Sequence, residues 1–382
     1  MSRGERLRVA VAGLGVIAQA VHLPVLERRR DLFELAAVAD LSAQRGHELG
    51  RRYGVPERHR YLDGAALLDA GGFDALLLLT SGSHGELTAA ALRRGVPVFC
   101  EKPLAYTRAE AAELAAAGAG TGAGLMVGYM KQYDPAVAEL ARRLDRIGGA
   151  GAVHAVEVTV LHPSGESQLA SQRLGPAPTD VDPERVRVLR DRSDELLLRA
   201  VGADRQVRAL YQIMINSVSH DLSLLRLLTG APSTVEHVAL WPADPPAGQE
   251  PSVEVSGGLL AGGRYGIRWL HLPDYPGYRE TVTVHHANGS LELVFPTPYR
   301  LDLPSTLTVR DGTGGVERRV GYQETGSGFE RELVAFHAMV TAGTPPRTGL
   351  AGGTADIGTS QQVVRRFGAL TGSAVGGEAA TG

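Results

Sequence analysis

The chain has almost no lysine: among 39 lysine and arginine residues in a length of 382, only Lys102 and Lys131 are lysine. Where arginine supplies positive charge nearly everywhere, a surviving lysine points to a need for a compact amine that can lose its proton near neutral pH. Lys102 fits that need. It stands in Glu101-Lys102-Pro103 after the apolar run 96–100, where a strand end of an open α/β sheet faces the ligand crevice. Lys131 is read as a chance survivor of the composition. Cysteine is scarcer still, and the single Cys100 excludes an intrachain disulfide and a cysteine-based zinc site. Within its apolar run Cys100 reads as a small buried hydrophobe rather than a nucleophile. No excess of one charge sign is present, since the net charge is −3, and neither duplex nucleic acid nor an anionic membrane is expected as a partner. No apolar run has the length of a membrane span, and the polar stretch Met1 to Arg8 does not read as a signal peptide. The cytoplasm is the expected compartment.

What is present has two grammars. Residues 7–126 alternate apolar runs at 7–12, 33–39, 75–80, 96–100 and 125–128 with helix-like stretches, which predicts an α/β domain with a parallel sheet covered on both faces. Residues 127–382 carry longer strand-like runs at 153–161, 235–240, 253–260, 264–272, 280–286, 291–295 and 307–310. The turn signals Gly262-Gly263 and Asn288-Gly289 predict hairpins and a large, open, mostly antiparallel sheet. Its broad face predicts a homodimer or homotetramer. The charged stretch 183–203 reads as a solvated helix and 217–228 as an amphipathic one. Helices close the chain near 328–341 and 354–370, packing back on the first domain, and the tail from Ser373 is expected to fray.

The chemistry-bearing motifs sit at strand ends. Ala12-Gly13-Leu14-Gly15-Val16-Ile17-Ala18 follows a strand and opens a helix in the pattern G-x-G-x-x-A. Gly13 permits the tight turn, and Gly15, Val16 and Ile17 offer backbone N–H groups to a pyrophosphate. Asp40 ends the next strand, where a carboxylate accepts the ribose hydroxyls and repels a 2′-phosphate, so NAD is expected over NADP. Arg45, one turn later, is the residue that would favour NADP. Thr80, Ser81 and His84 follow the strand 75–80, where the nicotinamide half would lie, and His84 either contacts the cofactor or caps the next helix. Asn216 and His220, four apart, share a helix face, whereas Asp221 is turned away by roughly 100°. No metal is expected: His220 has no ligand-type residue at the required spacing, and His285 and His286 point to opposite faces of a strand.

Together these motifs resemble the Gfo/Idh/MocA family of NAD(P)-dependent oxidoreductases, over essentially the whole chain and in order. The resemblance implies an N-terminal Rossmann domain over 1–126 and a C-terminal α/β domain over 127–382 that binds substrate and assembles into oligomers. It implies that Lys102 contacts the reacting hydroxyl and the nicotinamide ribose, that Glu101 at the cofactor site helps set the local charge, and that His220 assists as acid, base or relay. The chain departs from the family at two places. Asn216 stands where many relatives have aspartate, and Gln132 replaces a common arginine in Gly128-Tyr129-Met130-Lys131-Gln132-Tyr133-Asp134-Pro135. Gln132, Tyr133, Asn216, His220 and Lys102 are the expected substrate contacts.

The expected activity is hydride transfer between nicotinamide and a secondary alcohol of a sugar, cyclitol or similar polyol. Loss of the hydroxyl proton must accompany it, and a desolvated amine at Lys102 would take that proton. Two alternatives stand beside it: a lyase or glycoside-cleaving enzyme that oxidises its substrate transiently, and an NAD-binding regulator without catalysis.

Overall fold

The alternating pattern of the first third becomes a six-stranded, wholly parallel sheet in the computed structural model, which describes residues 6–172 and 174–381. Its strands are β1 Leu7–Ala12, β2 Phe33–Ala39, β3 Arg60–Tyr61, β4 Ala75–Leu78, β5 Val98–Glu101 and β6 Leu125–Gly128, in the order β3-β2-β1-β4-β5-β6. The order reverses between β1 and β4, and in such sheets the crevice at the strands' carboxyl ends receives the ligand. Continuous apolar runs suit strands buried on both faces, and Val9, Val11, Leu76, Leu77, Val98 and Phe99 are fully buried. Helix starts are written locally. Ser42, Asp63 and Thr107 each accept a backbone N–H of the helix that follows, and Thr107 and Glu110 cap each other reciprocally.

Contacts divide the chain into two units, and residues 174–197 and 332–357 belong with residues 6–129 in the first. The helix Gly328–Ala342 supplies Phe336, whose ring meets Phe99 edge-on at 5.7 Å. The second unit holds residues 130–172, 198–331 and 358–381.

That unit is built on an eight-stranded sheet: β7 Val153–His162, β8 His237–Trp241, β9 Ser252–Gly258, β10 Arg264–His271, β11 Arg279–His286, β12 Gly289–Phe295, β13 Thr306–Thr313 and β14 Val316–Gln323. The order is β14-β13-β12-β11-β7-β10-β9-β8, and every neighbouring pair is antiparallel except β7 with β10. Gly262-Gly263 turns β9 into β10 with positive φ at both glycines, and Ala287-Asn288 forms the β11–β12 turn.

Three features differ from the sequence reading. β14 escapes it, because Val316-Glu-Arg-Arg-Val-Gly-Tyr-Gln has no apolar face; it is an exposed edge strand paired only with β13. β3 is two residues long and below the reach of any periodicity. Residues 373–381 of the tail are ordered rather than frayed. Gly376 N–H donates to Val201 O, Glu378 accepts from Gln361, and Ala379 is buried in the short helix Gly377–Thr381. Gly202 and Gly376 allow this contact, since a Cβ at Gly202 would lie 2.7 Å from the Gly376 Cα. Among the described residues, no helix is long and apolar enough to cross a membrane.

Candidate active site

In the first unit, β1 runs into the glycine turn and the chain becomes helical from Val16. Gly13 has φ +94°, and a Cβ there would lie 2.7 Å from the Leu79 carbonyl carbon and the Thr80 nitrogen. Packing and conformation therefore both require glycine at 13. Gly15 is different, because a Cβ there would meet nothing within 4 Å. The protein does not need the missing side chain for its own packing; the free space fits a ligand that approaches the backbone, as a pyrophosphate does. Asp40 lies beside this turn. Its Oδ2 accepts from Leu14 N–H at 2.8 Å and its Oδ1 from Ser42 N–H at 3.0 Å. The helix Ala43–Arg52 is capped by Ser42, not Asp40, and each Asp40 oxygen keeps a lone pair for a further donor. These residues fit a nicotinamide dinucleotide: the turn would hold the phosphates and Asp40 the adenosine ribose.

At the ends of β4 and β5 the remaining first-unit residues gather. Thr80 and Ser81 are exposed, and His84 is buried with its ring between Thr80 O at 2.8 Å and Pro103 O at 2.7 Å. It makes no side-chain cap. Burial holds its pKa below the ordinary value despite the two carbonyls, and the ring ties the β4 loop to Glu101-Lys102-Pro103. Glu101 is buried; its Oε1 is 2.9 Å from His22 Nε2 and its Oε2 accepts from Lys102 N–H at 3.1 Å. Burial raises its pKa, but the His22 hydrogen bond and the charges of His22, Lys102 and His84 outweigh that, leaving it below the usual carboxylate range. Lys102 itself is half-buried.

Beneath Glu101 lies a residue that sequence reasoning missed. Glu332 is fully buried, and neither carboxyl oxygen has a hydrogen-bond partner among the described residues. Burial, then the charge of Glu101, push its pKa far up, which favours the un-ionised acid. Ligand atoms of His22, Glu101 and Glu332 lie within 4.8 Å of one another, a grouping with metal-ligand chemistry. A proton on Glu332 meets the same need for positive charge in that sealed space.

The second unit places Gln132, Tyr133, Asn216 and His220. Asn216 and His220 are half-buried; Asn216 lies in a π-helical segment, Met214–Val218, that widens the helix before Ser219–Thr229. A second such segment, Ala18–His22, carries His22, and π turns recur at functional sites. Gln132 is buried and donates through its amide to Ser223 O at 3.0 Å, and Tyr133 is buried. Tyr211 and Trp269 are core residues.

Lys131 is the clearest correction. It is no chance survivor: at 6% exposure its Nζ lies 2.9 Å from Asp221 and 2.7 and 2.6 Å from the two Glu280 oxygens, with Phe295 at 5.5 Å. Tyr278 donates to Glu280 at 2.6 Å. Asp221, expected to turn away from the site, is buried in this cluster. Burial and the charge of Glu280 push its carboxyl up to about 8, against the pull of Lys131. Burial lowers the Lys131 pKa, but the two carboxylates more than reverse this. Lysine's rarity is thus a signal at Lys131 as well, whose partners lie 90 and 149 residues away.

Residues 7–129 match the family described as "Oxidoreductase family, NAD-binding Rossmann fold". An inositol 2-dehydrogenase of Streptomyces avermitilis is 36% identical over 165 residues, 42% of this chain and 47% of that protein. The chain thus spans under half the length of the curated relatives it matches. Levoglucosan dehydrogenase in complex with NADH shares the fold over 95% of this chain and 97% of its own, with a TM-score of 0.70 and 18% identity. The aldose-aldose oxidoreductase of Caulobacter crescentus does so over 95% and 98%, with a TM-score of 0.68 and 21% identity.

Proposed function

Residues 7–129 belong to the Gfo/Idh/MocA oxidoreductases, and from that premise we propose that the chain is an NAD-dependent dehydrogenase acting on a secondary alcohol of a cyclitol or sugar. One observation carries the reading. The turn at Gly13 and Gly15, Asp40, and Lys102 stand at the carboxyl ends of β1, β2 and β5 of one parallel sheet. The names of the partial relatives, inositol 2-dehydrogenases, support the substrate class.

The bound dinucleotide would supply the hydride acceptor. The chain's own residues do the rest. Gly13 and Gly15 leave room for the phosphates, and Asp40 accepts the ribose hydroxyls. Alcohol oxidation releases a hydroxyl proton, and the Lys102 amine is the base that takes it. Glu101, ionised and fixed by His22, balances the ammonium that results. His84 orients the turn by joining Thr80 O to Pro103 O. His220 is the second unit's acid/base residue, with Asn216 in place of a carboxylate. The exposed edge β14 and the broad sheet suit a homodimer or homotetramer.

Incubation with NAD and a panel of cyclitols and sugars should produce NADH, followed by its absorbance. Substrate cleavage without net NADH would replace this reading with the lyase, and dinucleotide binding without turnover on any member would replace it with the regulator.

A further inference from the structure

A second carboxylate shares the corner that Asp40 occupies. Ser42 is held from two sides. Its N–H donates to Asp40 Oδ1 at 3.0 Å, and its hydroxyl donates to Asp180 Oδ1 at 2.5 Å. The other Asp180 oxygen accepts from Gln44 N–H at 2.8 Å. Asp180 lies 138 residues beyond Ser42, in the stretch before the helix Pro183–Val201, and within the same unit. Hydrogen bonds from the Ser42 hydroxyl and then the Gln44 N–H hold its carboxyl below the usual range, so it is ionised at neutral pH. An internal anion thus already occupies the hydroxyl and a backbone N–H at the start of the ten-residue helix Ala43–Arg52.

A dinucleotide whose adenosine ribose reaches Asp40 turns its 2′-oxygen toward this corner. A 2′-hydroxyl can donate to Asp40. A 2′-phosphate brings negative charge and needs donors, but the Ser42 hydroxyl and Gln44 N–H are engaged and two carboxylates face it. Resting on the reading that the dinucleotide binds at the Gly13–Gly15 turn and Asp40, we propose that Asp180 is a specificity-determining residue that fills the 2′-phosphate position and excludes NADP. The stretch before the Arg-rich helix thereby carries a mimic of the phosphate it keeps out. Without Asp180, the Ser42 hydroxyl, the Gln44 N–H and Arg45, one turn into the helix, form a set suited to a phosphate.

Isothermal titration of the full chain with NAD, NADP and adenosine 2′,5′-bisphosphate tests this in wild type, Asp180→Ala, Asp180→Asn and Asp40→Ala. Asp180→Ala should tighten NADP and the bisphosphate about tenfold, leave NAD within about twofold, and lose part of that gain as salt is added. Asp180→Asn should fall between the two, because it keeps an acceptor without the charge. Unchanged NADP and bisphosphate affinity in Asp180→Ala, or equal shifts for NAD and NADP, would overturn the proposal. Failure of the underlying reading looks different: Asp40→Ala would then leave NAD affinity untouched, while the bisphosphate still reports whether Asp180 guards the helix start. Asp180 is exposed, so an unchanged melting temperature is expected and separates specificity from folding.

Discussion

Each unit buries a pair of carboxyl groups, and the two pairs take different basic partners. In the second, Asp221 and Glu280 close on the ammonium of Lys131, with the Tyr278 hydroxyl as a further donor. In the first, Glu101 takes His22, and Glu332 keeps its own proton. A buried amine bonded to two carboxylates is held charged and cannot serve as a proton shuttle, whereas the half-buried Lys102 stands at a strand end above its pair. The two lysines thus survive in an arginine-rich chain for opposite reasons. One must never change its charge; the other is proposed to do so in every turnover.

The largest effect should come from breaking the second cluster. Lys131→Met leaves the buried Glu280 carboxylate and its neighbour Asp221 without their cation and should cost about 3–5 kcal/mol, seen as a steep fall in the denaturant midpoint. An unmoved midpoint would mean that the cluster does not support the fold. Lys102→Arg probes the other lysine. It should reduce turnover by ~100-fold while leaving the melting temperature and NAD affinity near their original values, since arginine keeps the charge but cannot give up its proton. Near-normal turnover on an identified substrate would remove Lys102 from the chemistry.

A subtler difference lies in pH. Asp221, raised to about 8, holds its proton in the folded state where the unfolded chain has released it. Its stabilising contribution is therefore full below the ordinary carboxylate range and declines as pH rises toward 8, the reverse of a salt-bridged surface acid. Denaturant midpoints measured from pH 5 to 8 should fall, and Asp221→Asn should flatten that slope while preserving the Lys131–Glu280 pair. The smallest effect is expected at Glu332. If it is un-ionised, Glu332→Gln replaces one neutral group by another and should change stability and turnover by about twofold or less. Infrared spectra should show a carboxylic-acid carbonyl band at neutral pH in the original protein that the glutamine variant lacks.

These clusters also mark the limit of what the sequence discloses. The glycine turn, Asp40 and the strand ends are legible because each depends on neighbours within a few dozen residues: Asp40 lies 26 residues from the Leu14 N–H it accepts. Asp221, by contrast, is found by a lysine 90 residues away, and Asp180 by a serine at 138. No periodicity encodes such pairings, which form only when the sheet and its helices assemble. Gln132 shows the same limit on a smaller scale. Its amide bonds the backbone of Ser223 inside the second unit, a pairing 91 residues apart that the family motif does not disclose.

The widened turn at Met214–Val218 has a bearing on which insertions and deletions the chain can accept. A π turn is an α-helix that carries one residue too many, so removing one there would yield a more regular helix and a gain in local geometry. Because the wider turn absorbs the extra residue, the helix beyond it would keep nearly the same facing, whereas a one-residue deletion in a regular turn rotates everything downstream by about 100°. His220 and Asp221 ride on that downstream part, and a one-residue deletion in the regular helix Arg205–Ile213 would swing the buried Asp221 side chain off Lys131. The irregular turn therefore acts as a buffer of register: a single-residue deletion within 214–218 should preserve the Lys131–Asp221 pair, and one within 205–213 should lose it.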